Sequence, residues 1–281
     1  MTLVTTPAVV LQTYRYSETS KIVRLVTREL GVQSAIAKGA LRPKSRFGAG
    51  LELLSEGVAQ LYYRETRELH TLGAFDLVTL RRELAADVGR FAGAAALAEV
   101  MLKMAPPAPL PAAYDMLTAA FDALAGAPPG GVDPTALRTV WRLLSVLGFA
   151  PSLTTCVRDG APVEPPPDGA QPVAFSVAEG GVLCARCAPP SAPPTPPVQG
   201  GTRLPPQAYR DLVALNDPAA ALPPLDAAHA AAHRRLVARF VRHHLDEAGV
   251  LSALDFWERG AASSPAPSTR APQAPVPSTA S

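Results

Sequence analysis

The hydrophobic period of this chain changes once, near Leu80, and that change sets the fold class. Residues 7 to 77 read as short β segments: "AVVLQTY", "KIVRLVT", "VQSAIAK", "LELLSEGVAQLYY" and "ELHTLGAFDL". In the third, Val32, Ser34 and Ile36 alternate with Gln33, Ala35 and Ala37. "RELG" places Gly31 where a tight turn needs positive φ. Short strands with turn signals at this density predict a small barrel or sandwich. The OB-fold is the five-stranded barrel of this size most often used on single-stranded nucleic acid.

Beyond Leu80 the spacing becomes three and four. Leu80, Leu84, Val88, Phe91, Ala95 and Ala98 predict an amphipathic helix that stops near Pro106. "AAYDMLTAAFDALAG" predicts a second helix. Asp133 caps a third, with Pro134 in its first turn and Gly148 at its close. "HAAAHRRLVARFVRHHLDEAG" is a fourth, with Leu236, Phe240 and Leu245 on its apolar side. The expected class is α+β: an N-terminal OB-fold barrel over 1–79, then an α-helical domain in two parts, 80–150 and 207–260. A Pro-rich insertion over 151–206 holds all three cysteines. A low-complexity tail over 261–281 is predicted to be disordered.

Charge is concentrated near the start. Residues 15–46 carry eight basic and two acidic side chains, a balance of +6 in a chain whose total is +2. Phosphate backbones are the commonest partner of such an asymmetry. The stretch ends in "AKGALRPKSRFGAG", read as a flexible, glycine-flanked loop. Tyr14 and Tyr16 flank Arg15, and Phe47 follows Arg46. Rings beside a basic groove suit stacked bases. The competing reading is a solvated barrel face whose bases pair with Glu18, Glu29 and the acids of "YRETRE".

Cys184 and Cys187 form a C-x-x-C knuckle, and Cys156 lies 28 positions before Cys184. Asp159 stands where a second knuckle would place its other thiolate. Three readings compete: one structural zinc held by Cys156, Asp159, Cys184 and Cys187; a metal-free remnant of a zinc ribbon; and a redox pair lacking its usual βαβ context. His229 and His233, like the adjacent His243 and His244, read as a wet helix surface. No Gly-x-Ser-x-Gly, Walker A or Gly-x-Gly-x-x-Gly pattern is present, so no nucleophile with a base is nominated and no enzyme is expected. No signal-peptide pattern opens the chain, and no run nears the roughly 18 apolar residues of a membrane span. A cytoplasmic, nucleoid-associated protein without membrane contact is expected.

The run from Val9 to Ser55 resembles the N-terminal domain of the bacterial RecO recombination mediators. Tyr16-Ser17-Glu18-Thr19-Ser20, Thr27, Gly31, Ala37-Lys38-Gly39-Ala40 and Lys44-Ser45-Arg46 carry the likeness. "LGFAPSLTTC", "GGVLCARC" and "RRLVARFVRHHLDEAGVLSALDFWE" resemble later family segments. The resemblance implies an OB-fold, a helical bundle and a zinc-ribbon-like insertion, here degenerate because Asp159 replaces a cysteine. It implies binding to single- and double-stranded DNA, strand annealing, and cooperation with RecR in loading RecA onto strands coated by single-strand-binding protein (SSB). Arg15, Lys21, Arg24, Lys38, Arg42, Lys44 and Arg46, with Tyr14, are the expected DNA contacts. Arg138 and Arg142 on one helix, with Trp141, and Arg234, Arg235, Arg239 and Arg242 on another have two readings: a rim for the acidic SSB tail, drawn by Arg138, Arg142, Arg235 and Arg239, or arginines that are merely solvated. A DNA-binding regulator without annealing activity is the alternative.

Overall fold

The computed structural model describes residues 2–48, 50–106, 108–189, 201–245 and 249–260. Five strands, β1 (Thr2–Arg15), β2 (Lys21–Thr27), β3 (Gly31–Ala37), β4 (Glu56–Tyr63) and β5 (Leu69–Thr79), close into a barrel of order β1-β2-β3-β5-β4. The β3–β5 pair is parallel and the others are antiparallel. This is the expected OB-fold. The barrel interior is filled by Ala8, Val10, Val23, Leu25, Ala35, Leu61, Leu72 and Phe75. One polar pair is also inward: His70 lies 2.9 Å from Gln33 Oε1.

"AVVL" of β1 is an unbroken apolar run because both of its faces are covered. Ala8 and Val10 point into the barrel, whereas Val9 and Leu11 join the helical core with Val26 and Leu54. A bulge between Val10 and Gln12 resets the register beyond that contact.

The helices are α1 (Arg82–Ala85), α2 (Val88–Met104), α3 (Pro111–Ala125), α4 (Val132–Val146), α5 (Pro206–Asn216), α6 (Ala227–His243) and α7 (Ser252–Arg259). Asp87 caps α2 by accepting from the Arg90 N–H. The expectation of a simple amphipathic α2 is corrected. Ala92 to Ala98 are buried all round, while Val88 and Phe91 are exposed. This helix is central, packed by α3, α4, α7 and β1, so it has no solvent stripe. Asp133 is also not a cap: α4 begins at Val132, and Asp133 sits in its first turn bonded to Arg234.

Barrel and helices are clamped by Arg81, whose guanidinium donates to Glu56 of β4 (2.6 Å) and Asp122 of α3 (2.7 Å). Arg28 of the barrel reaches Asp115 of α3 at 3.0 Å. Gly31 has φ +70, and a Cβ there would meet the Ala108 carbonyl at 2.9 Å. The insertion forms a small sheet of order β7-β6-β8, from β6 (Val173–Ser176), β7 (Gly181–Leu183) and β8 (Gly201–Leu204). The buried Tyr209 of α5 holds it by donating to the carbonyls of Leu153 and Val163. The expected disordered tail lies outside the described residues.

Candidate nucleic-acid interface

The expected cations converge because of strand register. Arg15 ends β1 and pairs across from Lys21, which opens β2; Lys21 in turn pairs with Ala37, one residue before Lys38. Three strand ends therefore meet at one mouth of the barrel. The β3–β4 connection, described over 38–48 and 50–55, folds across that mouth and carries Lys38, Arg42, Lys44 and Arg46.

That connection, read from its glycines as a flexible loop, is closed by its own backbone hydrogen bonds. It is a succession of tight turns, with backbone N–H groups of Arg42, Ser45, Gly48 and Gly50 donating to the carbonyls of Gly39, Arg42, Ser45 and Phe47. The Leu41 N–H donates to Thr19 of the β1–β2 turn at 3.0 Å, joining the two loops. Phe47 and Leu51 are inserted into the barrel core. Phe47, 4 % exposed, is thus a plug and not a stacking ring. Its apolar anchor leaves Lys38, Arg42, Lys44 and Arg46 outside and exposed. Arg46 lies over the Phe47 ring at 5.0 Å.

Among the described residues, Arg15, Lys21, Arg24, Lys38, Arg42, Lys44 and Arg46 have no carboxylate partner. Glu29 is engaged by the Thr6 hydroxyl instead. The self-neutralised barrel face, the competing reading of this charge, is not what the chain builds. Arg24 differs from the others: it is half-buried on the outer wall of β2, with its Nε buried and unpartnered.

Tyr14 and Tyr16 are both exposed, at 44 % and 58 %. Tyr14 lies directly across from Ile22, which lies across from Ile36. Beside them runs a second outward row, Gln12–Arg24–Ser34–Leu69. Ile22, Ile36 and Leu69 escaped sequence reasoning, because alternation shows that a strand has two faces without showing which one faces water.

A second constellation forms in the insertion. Ligand atoms of Cys156, Asp159, Cys184 and Cys187 all lie within 4.8 Å of one another. Tetrahedral zinc with Zn–S near 2.3 Å would hold its ligands roughly 3.8 Å apart, so the set needs only a small contraction. Two backbone turns present the four groups, closed by Gly160 N–H to Cys156 O and Ala188 N–H to Cys184 O. The Ala161 N–H, followed by the neighbouring thiols, holds the Asp159 carboxyl well below the usual carboxylate range. Arg186, another residue sequence reasoning missed, braces Asp159 at 2.9 Å. Burial, followed by the Asp159 carboxylate, pushes the Cys187 thiol up to about 12. Thiolates gathered beside a carboxylate repel one another unless a cation takes up their charge.

The third expected site is only partly assembled. Arg235 and Arg239 line a groove of about 220 Å³ between α6, β8 and the start of α5, with Arg203, Leu204 and Leu236. Arg138 is not free to join them: its guanidinium donates to the carbonyls of Ala214 and Ala221 at 2.9 and 3.1 Å. Arg142 is exposed on α4. Trp141, expected beside a groove, is wholly buried against Phe240, ring centroids 5.2 Å apart. His233, read as wet, is 3 % exposed with its Nε2 4.0 Å from Asp211. His229 is exposed and pairs with Asp226.

Comparison with known proteins settles the family. Residues 1–81 match the model for "Recombination protein O N terminal" and residues 85–252 that for "Recombination protein O C terminal". The chain belongs to the RecO family. It is 36 % identical over 242 residues to the DNA repair protein RecO of Anaeromyxobacter sp. (strain K), covering 84 % of this chain and 89 % of that protein. With the DNA repair protein RecO of Symbiobacterium thermophilum it shares 35 % over 187 residues, 66 % of this chain and 72 % of that one. The chain with this plugged barrel mouth therefore belongs to a DNA repair protein family, and no helix among the described residues is long and apolar enough to cross a membrane.

Proposed function

We propose that this protein acts in DNA repair as a recombination mediator that binds DNA at the barrel mouth and anneals complementary strands. The observation that carries this reading is the set of cations at the mouth, none with a carboxylate partner among the described residues and four of them on an anchored platform. Lys38, Arg42, Lys44 and Arg46 neutralise phosphates, Arg15 and Lys21 extend the track across two strand ends, and Tyr14 lies beside it. Screening phosphates on two strands lowers their mutual repulsion, while base pairing supplies specificity. The work is done by binding, without a covalent step.

In this reading the barrel over 1–79 is the DNA module, serving single and double strands. The helical parts, 80–150 and 207–260, serve protein partners. Arg235 and Arg239 suit the acidic tail of SSB at the groove beside α6. RecR is the partner with which RecA is loaded, and the site of action is the cytoplasmic nucleoid. One structural zinc, bound by Cys156, Asp159, Cys184 and Cys187, stiffens the insertion.

The test is an annealing assay with dye-labelled complementary oligonucleotides. The wild-type chain should accelerate duplex formation, and the Lys38/Arg42/Lys44/Arg46→Ala variant, folded by circular dichroism, should not. Equal acceleration by both would remove the loop from the function.

A further inference from the structure

The cations at the mouth treat single and double strands alike, since both present phosphates. The wall just beside them does not. Tyr14, Ile22 and Ile36 form one outward row across β1, β2 and β3. Each is one or two residues from a mouth cation: Tyr14 from Arg15, Ile22 from Lys21, Ile36 from Lys38. A residue advances a strand by about 3.3 Å, so the apolar row borders the cationic rim directly. The inward row next to it, Val23 and Ala35 with the buried His70, confirms which face is out.

The two outward rows of this wall hold one cation, Arg24, and no acid. Arg24, in the row it shares with Gln12 and Ser34, keeps a buried Nε without a partner among the described residues. Glu18 lies in the β1–β2 turn, and Glu65 and Glu68 lie in the β4–β5 turn, outside these two rows. Tyr14 is steadied by its hydroxyl, which donates to Gln12 Oε1. A ring fixed on a sheet, open to solvent and rimmed by unpaired cations, is the arrangement that stacks an unpaired base while its phosphate is held alongside.

We infer that the Tyr14–Ile22–Ile36 wall is a base-stacking platform that selects single-stranded DNA. A duplex keeps its bases stacked on each other and can use the rim alone. A single strand uses both rim and wall. This inference rests on the DNA-binding reading above. It adds a separable determinant: the rim sets overall affinity, and the wall sets the preference for unpaired strands.

The experiment measures anisotropy of a labelled oligothymidylate and of a duplex of equal length, using the full chain. Tyr14 is exposed, so Tyr14→Ala should leave the fold intact. It should weaken oligothymidylate binding by roughly 5- to 150-fold for one lost stack and leave duplex affinity nearly unchanged. In Tyr14→Trp the added indole should be quenched by oligothymidylate and not by duplex; the native Trp141 and Trp257 are both buried. Equal loss for both probes, no loss for either, or quenching by duplex alone would overturn the platform. If the loop variant loses both probes while Tyr14→Ala keeps both, the DNA-binding reading stands and this inference alone falls. If the wild-type chain binds neither probe, both fall together.

Discussion

Replacing Lys38, Arg42, Lys44 and Arg46 with alanine should change how DNA binding responds to salt, by an amount the structure fixes. Each phosphate contact on a single strand lowers the slope of log K against log[salt] by about 0.7. Four exposed cations on one platform, without carboxylate partners among the described residues, correspond to about 2.8 units of slope. Raising salt from 50 to 200 mM should therefore weaken the wild-type complex about 50-fold more than it weakens the variant. Nothing in the barrel core should change, because Phe47 and Leu51 provide the anchor and remain in place. The assay is anisotropy of labelled single-stranded DNA over that salt range. Parallel lines for the two proteins, even with different intercepts, would refute the assignment of phosphate contacts to this loop. A difference of less than about one unit would mean that at most one of the four residues touches the backbone.

Two further outcomes follow from the rest of the structure. The purified chain should hold close to one zinc per molecule, and Cys184→Ser or a strong chelator should release it and lower the thermal midpoint. A full-strength midpoint in metal-free protein would show that packing alone holds the insertion. Burial lowers the pKa of His233 more than the facing Asp211 raises it, and His229 lowers it further. The unfolded chain therefore binds the extra proton, so this stability is present above the ordinary histidine pKa of about 6.5 and is lost as pH falls below it. His233→Gln should flatten the fall in denaturation midpoint between neutral and mildly acidic pH; an unchanged profile would exclude His233 as its source.

The sequence by itself determined much of the architecture, since period and turn residues are local signals. Short apolar or alternating strands before Leu80 and helices of period near 3.6 after it, the turn at Gly31, and the knuckle at Cys184 and Cys187 are all legible without coordinates. The concentration of bases in residues 15–46 is equally plain, because charge can be counted along a chain. Only the tertiary structure decided which residues share a surface. Closing the barrel brought the ends of β1, β2 and β3 to one mouth and turned Ile22, Ile36 and Tyr14 outward together. It drew Phe47 inward, where apolar burial outweighed any use of its ring at the surface. Packing α2 on every side hid the alanines that its spacing would leave half wet; packing α4 against α6 buried Trp141, and packing it against α5 left Arg138 bonded to carbonyls. Periodicity describes one element against a neighbour it does not name. Whether a side chain meets water, a core or a ligand depends on contacts between residues far apart in sequence, and these exist only once the chain has closed on itself.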